Sequence, residues 1–183
     1  MKKIGPWTSR SSEVKYENPW IQVDEHQVIN PGGGDGIYGK VHFKNRAIGI
    51  IPIDDEGNTW LVGQHRFTLD QFSWEIPEGG CPHDEEILTS AQRELQEETG
   101  LEAEHWELIL EIHTSNSVSD EVGYIFIAKG LTEGKATPEE SESDIQVKKT
   151  PLTHAIQMVM DGEITDSLTI AGLLKAKILL GID

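Results

Sequence analysis

Residues 79–101 read GGCPHDEEILTSAQRELQEETGL, and this stretch decides the fold. From Asp84 to Thr99 the apolar spacing is helical, with Asp84 suited to the N-cap, Glu85 and Glu86 to the positive first turn, and Gly100 to the position just past the end. Glu94, Glu97 and Glu98 stand at i, i+3 and i+4. At 100° per residue they fall within about 100° of one another on one face. Leu88, Ala91 and Leu95 lie next to them on the wheel, so the acids border the buried stripe. One reading is a solvated acidic helix face, but that predicts interspersed cations, and the segment holds only Arg93. Each like-charge pair at these spacings costs about 0.2–0.5 kcal/mol on an isolated helix, and more at lower dielectric. The other reading is a metal site, since hard oxygen ligands on a short arc suit Mg²⁺ or Mn²⁺ and leave positions for water and phosphate.

The segments around this helix give the fold class. WIQVDEHQVI (20–29) and IYGKVHF (37–43) read as strands joined by a loop holding Gly32, Gly33, Gly34 and Gly36. AIGIIPI (47–53) and TWLVGQH (59–65) read as strands around a turn at 54–58, and FSWEI (72–76) as a short strand before the loop IPEGG. HWELILEIH (105–113) and VGYIFIA (122–128) flank the loop TSNSVSDE, and 132–144 is an acidic polar loop. The tail predicts two helices, one with Thr150 as cap and Pro151 at N1, one opening at Asp166 and Ser167. The first 20 residues are polar, carry Pro6 and Pro19, and read as an arm. Strands on both sides of a central helix, then helices, predict an α/β sandwich with a mixed sheet.

Composition excludes several classes. Fifteen Lys and Arg against 32 Asp and Glu give a net charge of −17, a field that repels nucleic-acid backbones and anionic membranes. With 37% hydrophobic residues the 183-residue chain has material for a core, so it is not a disordered chain. Cys81 is the lone cysteine, so no internal disulfide forms, and no apolar run reads as a leader or membrane span; the expected location is cytoplasmic. Seven histidines include no HxxxH or HxH pair, so zinc is not indicated.

The order Gly79, five residues, Glu85, seven residues, then Arg93, Glu94, Leu95, one residue, Glu97, Glu98, one residue, Gly100 and Leu101 resembles the Nudix box at every defined position over 23 residues. At ~5–7% usage per residue type, chance agreement at a given start is on the order of one in a billion. QHRFTLDQFSWEIPEGG, the Gly-rich hairpin and GEITDSLTIAGLL are similar to the ADP-ribose pyrophosphatase and nucleoside diphosphate sugar hydrolase branch, from about Trp20 to Leu180.

The resemblance implies a Nudix α/β/α sandwich (46–183) preceded by an antiparallel β segment (1–45) that builds a homodimer and reaches the partner's site. It implies Mg²⁺, with Mn²⁺ as substitute and two or more ions per site, and hydrolysis of nucleoside diphosphate sugars to a nucleoside monophosphate and a sugar phosphate. Carried over by position, Glu94, Glu97 and Glu98 are metal ligands, joined by the backbone carbonyl of Glu78, while Gly79, Glu85, Arg93 and Gly100 support the loop and helix. The general base comes from the late acidic loop, at Glu140 first and Glu142 second, with Glu139 beside them. Arg66 faces substrate phosphates, Glu75 holds water or backs the ligands, Asn116 and Ser117 touch the sugar side, and Trp20 is a nucleobase or dimer contact. The branch usually carries a proline where this chain has Asn116, which points to a range including ADP-ribose, GDP-mannose and UDP-glucose. Other Nudix specificities (nucleoside triphosphates, dinucleotides, capped RNA) and a non-catalytic nucleotide-sugar sensor are the competing readings; neither nucleic acid nor a membrane is an expected partner.

Overall fold

The computed structural model describes residues 1–137 and 144–182. These form two compact units, residues 1–46 with 113–122, and residues 47–112 with 123–182.

The first unit is an antiparallel sheet in the order β1 (Lys2–Ile4), β2 (Trp7–Glu17), β3 (Ile21–Ile29) and β4 (Asp35–Phe43). The hairpin between β3 and β4 is closed by Asn30, whose Oδ1 accepts from the amides of Gly32 (2.9 Å) and Gly34 (3.1 Å), with Gly33 at φ 88°. This side-chain mimicry of a turn is what Asn supplies at such positions. The expected N-terminal arm is corrected: residues 2–17 are largely strand, paired along β3 through bulges at Ser9/Ser11 and Val14/Tyr16. Their polarity fits strands that are solvent-exposed along most of their length. Segment 113–122 is fastened to β4 by Asp120, which takes Lys40 Nζ and His42 Nδ1 at 2.6 Å each and the Phe43 amide at 3.1 Å.

The second unit holds two sheets. One has the order β8 (Glu78–Pro82), β5 (Asn45–Pro52), β10 (Val122–Glu133), β9 (Leu101–His113); the other has the order β11 (Gln146–Pro151), β6 (Asn58–Arg66), β7 (Gln71–Glu75). β5 and β10 run parallel, whereas β6 is antiparallel to both its neighbours, so the strand senses are mixed as expected. Along β5 and β10 successive apolar residues point to opposite faces. Ile51, Ile125 and Ile127 pack with helices α2 (Leu152–Met160) and α3 (Ser167–Leu180) through Leu152, Ile156, Leu168 and Leu173. Ile48, Ile50 and Phe126 pack on the other side with Ala91 and Leu95 of α1 (Ile87–Thr99). Strands buried on both faces read as continuous apolar runs, which is why AIGIIPI and VGYIFIA carry no polar alternation.

Three boundaries differ from expectation. IPEGG is not all loop, since β8 opens at Glu78. Helix α1 starts at Ile87 with Glu86 at the N-cap (ψ 134°) and no side-chain cap, not at Asp84. The Glu85 carboxylate is taken by Ser90 Oγ and lies 3.7 Å from Arg93 Nη2, which holds residues 83–86 outside the helix. Pro151, not Thr150, caps α2.

Candidate active site

The box helix α1 buries Ala91 and Leu95, and the same rotation leaves Glu94 and Glu98 turned toward β8; both are buried, Glu98 fully. Glu97 is half-buried. A Cβ on Gly79 would overlap the carboxylate carbon and both oxygens of Glu94, so only glycine lets the strand lie against this side chain. The Glu78 amide donates to Glu98 Oε2 at 3.0 Å. Arg93 Nη1 donates to Glu94 Oε1 (2.8 Å) and Glu97 Oε2 (2.9 Å), and Nη2 to the Gly80 carbonyl (2.9 Å), binding helix to strand. At the far end Gly100 sits at φ 74°, where a Cβ would lie 2.7 Å from the Ala136 amide nitrogen. The Thr137 amide donates to the Glu97 carbonyl at 3.0 Å. Glu139, Glu140 and Glu142 lie outside the described residues.

A second group of acids adjoins this one. Carboxylate oxygens of Glu75, Glu78 and Asp166 lie within 4.8 Å of one another. Arg66 faces them: Nε donates to both oxygens of Glu75 (3.0 and 3.1 Å), and Nη2 donates to Glu75 Oε2 and to Glu78 Oε1 (2.9 Å). The Glu75 side chain is only 3% exposed, and the fork gives both of its buried oxygens a donor. Although burial opposes the charge, Glu75 and Glu78 hold Arg66 firmly protonated. Burial, followed by the charges of Asp166 and Glu75, pushes the Glu78 carboxyl well above the usual carboxylate range. Asp166, expected as a helix start, caps α3 by accepting from the Thr169 amide at 2.7 Å and also joins the cluster. Its only sequence signal as a site member is its place inside GEITDSLTIAGLL. The side chain of Glu78, expected to offer only its carbonyl, joins the cluster as well.

The donor chemistry fits a divalent cation. Among the described residues Arg66 pairs with Glu75 and Glu78 and Arg93 with Glu85, Glu94 and Glu97, while Glu75, Glu78 and Asp166 are the three acids whose carboxylate oxygens lie within 4.8 Å of one another. The Glu78 Oε2 atom is buried with no hydrogen-bond partner among the described residues. Buried oxygen ligands with excess negative charge are what Mg²⁺ and Mn²⁺ accept.

In the other unit, Asn116 and Ser117 line a cavity of about 240 Å³ with Trp7, His26 and Tyr38. Tyr38 is held there by its hydroxyl, which donates to the Ser117 carbonyl at 2.7 Å, and by an edge-on contact with Trp7 at 5.3 Å. Trp20 does not line this cavity and is 68% exposed.

A helix that aims adjoining carboxylates at a glycine-bearing strand defines the Nudix class, and sequence comparison agrees. The NUDIX domain family model matches residues 43–165, and the model described as the nucleoside diphosphate sugar hydrolase N-terminal domain matches residues 7–41. The chain belongs to the NUDIX family. It is 36% identical over 172 residues to an ADP-ribose pyrophosphatase of Mycobacterium tuberculosis (strain ATCC 25618 / H37Rv), covering 90% of this chain and 80% of that protein. It is 34% identical over 152 residues to a methanol dehydrogenase activator of Bacillus methanolicus, covering 82% and 80%. A crystal structure of an ADP compounds hydrolase superposes with a TM-score of 0.86 at 18% identity, covering 99% of this chain and 97% of that one, a likeness of fold.

Proposed function

We propose that this Nudix pyrophosphatase hydrolyses the pyrophosphate bond of nucleoside diphosphate sugars of the ADP-ribose, GDP-mannose or UDP-glucose type, with Mg²⁺ as the resident metal and Mn²⁺ as a substitute. The products are a nucleoside monophosphate and a sugar phosphate. The observation that carries this reading is the placement of buried Glu94 and Glu98 against Gly79 and the Glu78 amide in a chain that belongs to this family. Matching of residues 7–41 to a sugar-hydrolase N-terminal domain, and likeness to a named ADP-ribose pyrophosphatase, support the substrate class.

Glu94, Glu97, Glu98 and the Glu78 carbonyl would hold the ions, two or more, whose chemistry there would be neutralisation of the diphosphate and a lowered pKa for water. The protein orients the ligands through Arg93 and Glu85, and excludes water where Leu95 and Ala91 seal the helix to the core. Glu140, or Glu142 after it, accepts the proton from the attacking water; the anchoring of Thr137 on Glu97 supports a base delivered at this end of α1. Arg66 Nη1, the arm not committed to Glu75 or Glu78, is offered to a phosphate oxygen. Asn116 and Ser117 hydrogen-bond the sugar side, and Trp20 contacts the nucleobase or a second protomer. Residues 1–45 serve dimerisation and 46–183 carry the chemistry, in a cytoplasmic enzyme; no helix of the described residues is long and apolar enough to cross a membrane.

Incubation with ADP-ribose, GDP-mannose, UDP-glucose, a nucleoside triphosphate and a dinucleotide, each with Mg²⁺ and with chelator, tests the reading by chromatography of products. Chelator-sensitive release of nucleoside monophosphate from the sugars is the expected result. Cleavage confined to the triphosphate or dinucleotide would overturn it. Glu140→Gln is expected to cut turnover on the order of 10²-fold with Mg²⁺ half-saturation kept. Near-normal turnover in that variant beside an inactive Glu142→Gln would transfer the role to Glu142.

A further inference from the structure

We infer that Arg66 is a positioning residue for the metal site, acting through the side chain of Glu78 on Glu98, in addition to any contact it makes with substrate. The inference rests on the reading of Glu94, Glu97 and Glu98 as metal ligands.

The connection is continuous. Arg66 lies at the end of β6, and its guanidinium meets Glu75 at the end of β7 and Glu78 Oε1 at the start of β8. The next link is Glu78's own backbone, whose amide holds Glu98 Oε2 at 3.0 Å. The residue after it is Gly79, against which the Glu94 carboxylate rests. One guanidinium therefore fixes the residue whose main chain sits between two buried acids of the box helix. On its other side the same strand start is held by the Pro77 carbonyl, which accepts from the Ile50 amide at 2.8 Å.

The electrostatics explain why the fork is needed. Glu75, Glu78 and Asp166 bring carboxylate oxygens within 4.8 Å of one another, and Arg66 is the cation that pairs with both glutamates. Carboxyl groups at that separation, in a partly buried setting, are drawn together by a cation that bridges them. A lysine retains the charge but offers a single point in place of Nε and Nη2 spread over two carboxylates. Loss of the fork frees Glu78 to turn away, and its backbone amide then leaves Glu98. Partners that orient metal ligands from behind typically carry 10–100-fold in metal affinity.

The test is Mn²⁺ binding to nucleotide-free protein, followed by electron paramagnetic resonance of the free ion, in wild type, Arg66→Lys, Glu78→Ala, Glu78→Gln and the Arg66→Lys/Glu78→Ala pair. Arg66→Lys and Glu78→Ala are each expected to weaken binding on the order of 10-fold or more. Glu78→Gln keeps an oxygen for Arg66 and is expected to bind within about 3-fold of wild type, the conservative rescue that a positioning role requires. The double variant is expected to bind no worse than the weaker single one, because both cut the same link. Should Arg66→Lys not fold, as judged by circular dichroism, Glu78→Ala cuts the link from its other end. Unchanged Mn²⁺ binding in Arg66→Lys with a raised KM for nucleotide sugar would overturn the inference and leave Arg66 a substrate contact. Loss of binding in Glu78→Gln would overturn it by making the Glu78 carboxylate a ligand. Failure of wild type itself to bind Mn²⁺ would remove the metal reading beneath it, an outcome distinct from either.

Discussion

At Gly79 a single methyl group would overlap the Glu94 carboxylate, whereas at Gly39, in β4, an added Cβ meets nothing within 4 Å. Overpacking of this kind costs about 1–3 kcal/mol when the neighbour must move. Glu94 is buried, so it cannot swing into solvent without dragging the Arg93 contact with it. Gly79→Ala is therefore expected to lower the melting temperature by roughly 2–4 °C per kcal/mol lost and to raise Mg²⁺ half-saturation, while Gly39→Ala leaves both unchanged. Thermal melts and Mg²⁺ titrations of turnover check this; a Gly79→Ala protein with wild-type values would show that Glu94 has room the geometry denies it. The glycine was legible in the sequence as a box position, but its physical cause was not, since that lies in a side chain fifteen residues later. Arg66 illustrates the opposite case. Its place after a strand suggested only a cation facing phosphate, and nothing in the order of residues announces that Glu75 and Glu78 converge on it, because the three side chains meet from β6, the end of β7 and the start of β8, strands of two different sheets.

Between elements, Asp120 ties segment 113–122 to β4 by accepting from Lys40, His42 and the Phe43 amide. Burial raises its carboxyl, but the bonds from Lys40 and then His42 outweigh that and hold it at about 2. Against an ordinary value of about 3.9, the carboxylate contributes stability that is full above about pH 4 and is lost as pH falls toward 2. Asp120→Asn is thus expected to melt below wild type near neutral pH, with the gap closing as both are acidified. A gap that stays constant from pH 7 to 3 would mean the charge is not what fastens the segment. That clasp was hidden in the sequence, where TSNSVSDE reads as loop and IYGKVHF as strand with no sign that they meet. Central strands were easy to read, since β5 and β10 are apolar on both faces and only a layered core buries such runs. Strands β1 and β2 were misread because exposed strands carry polar residues at the positions a buried one would fill. The start of α1 was misread because Asp84 has the right chemistry for a cap, while Ser90 and Arg93 claim Glu85 and delay the helix to Ile87.

For the whole molecule, a net charge of −17 sets the terms on which two copies meet. Identical acidic chains repel, so a homodimer must be held by apolar surface large enough to exceed that repulsion. Candidate surface exists in the first unit, where Val14, Tyr16, Trp20 and Ile37 are each at least half exposed, more apolar side chains than a strand facing only water needs. Salt shortens the reach of the repulsion, from a Debye length of about 10 Å at 0.1 M to about 3 Å at 1 M, and leaves apolar burial intact or strengthened. Association is therefore expected to tighten as salt rises, the reverse of an interface built on ion pairs. Sedimentation equilibrium at micromolar concentration in low and high NaCl is expected to give a mass near twice 20.4 kDa, with the smaller dissociation constant in high salt. Trp20→Glu, which adds charge at the most exposed of those four side chains, is expected to shift the balance toward monomer. A mass of 20.4 kDa in both salts would refute the dimer. A dimer that weakens with salt would keep the association but assign it to charge pairs, and would place the contact away from the apolar face of the first unit.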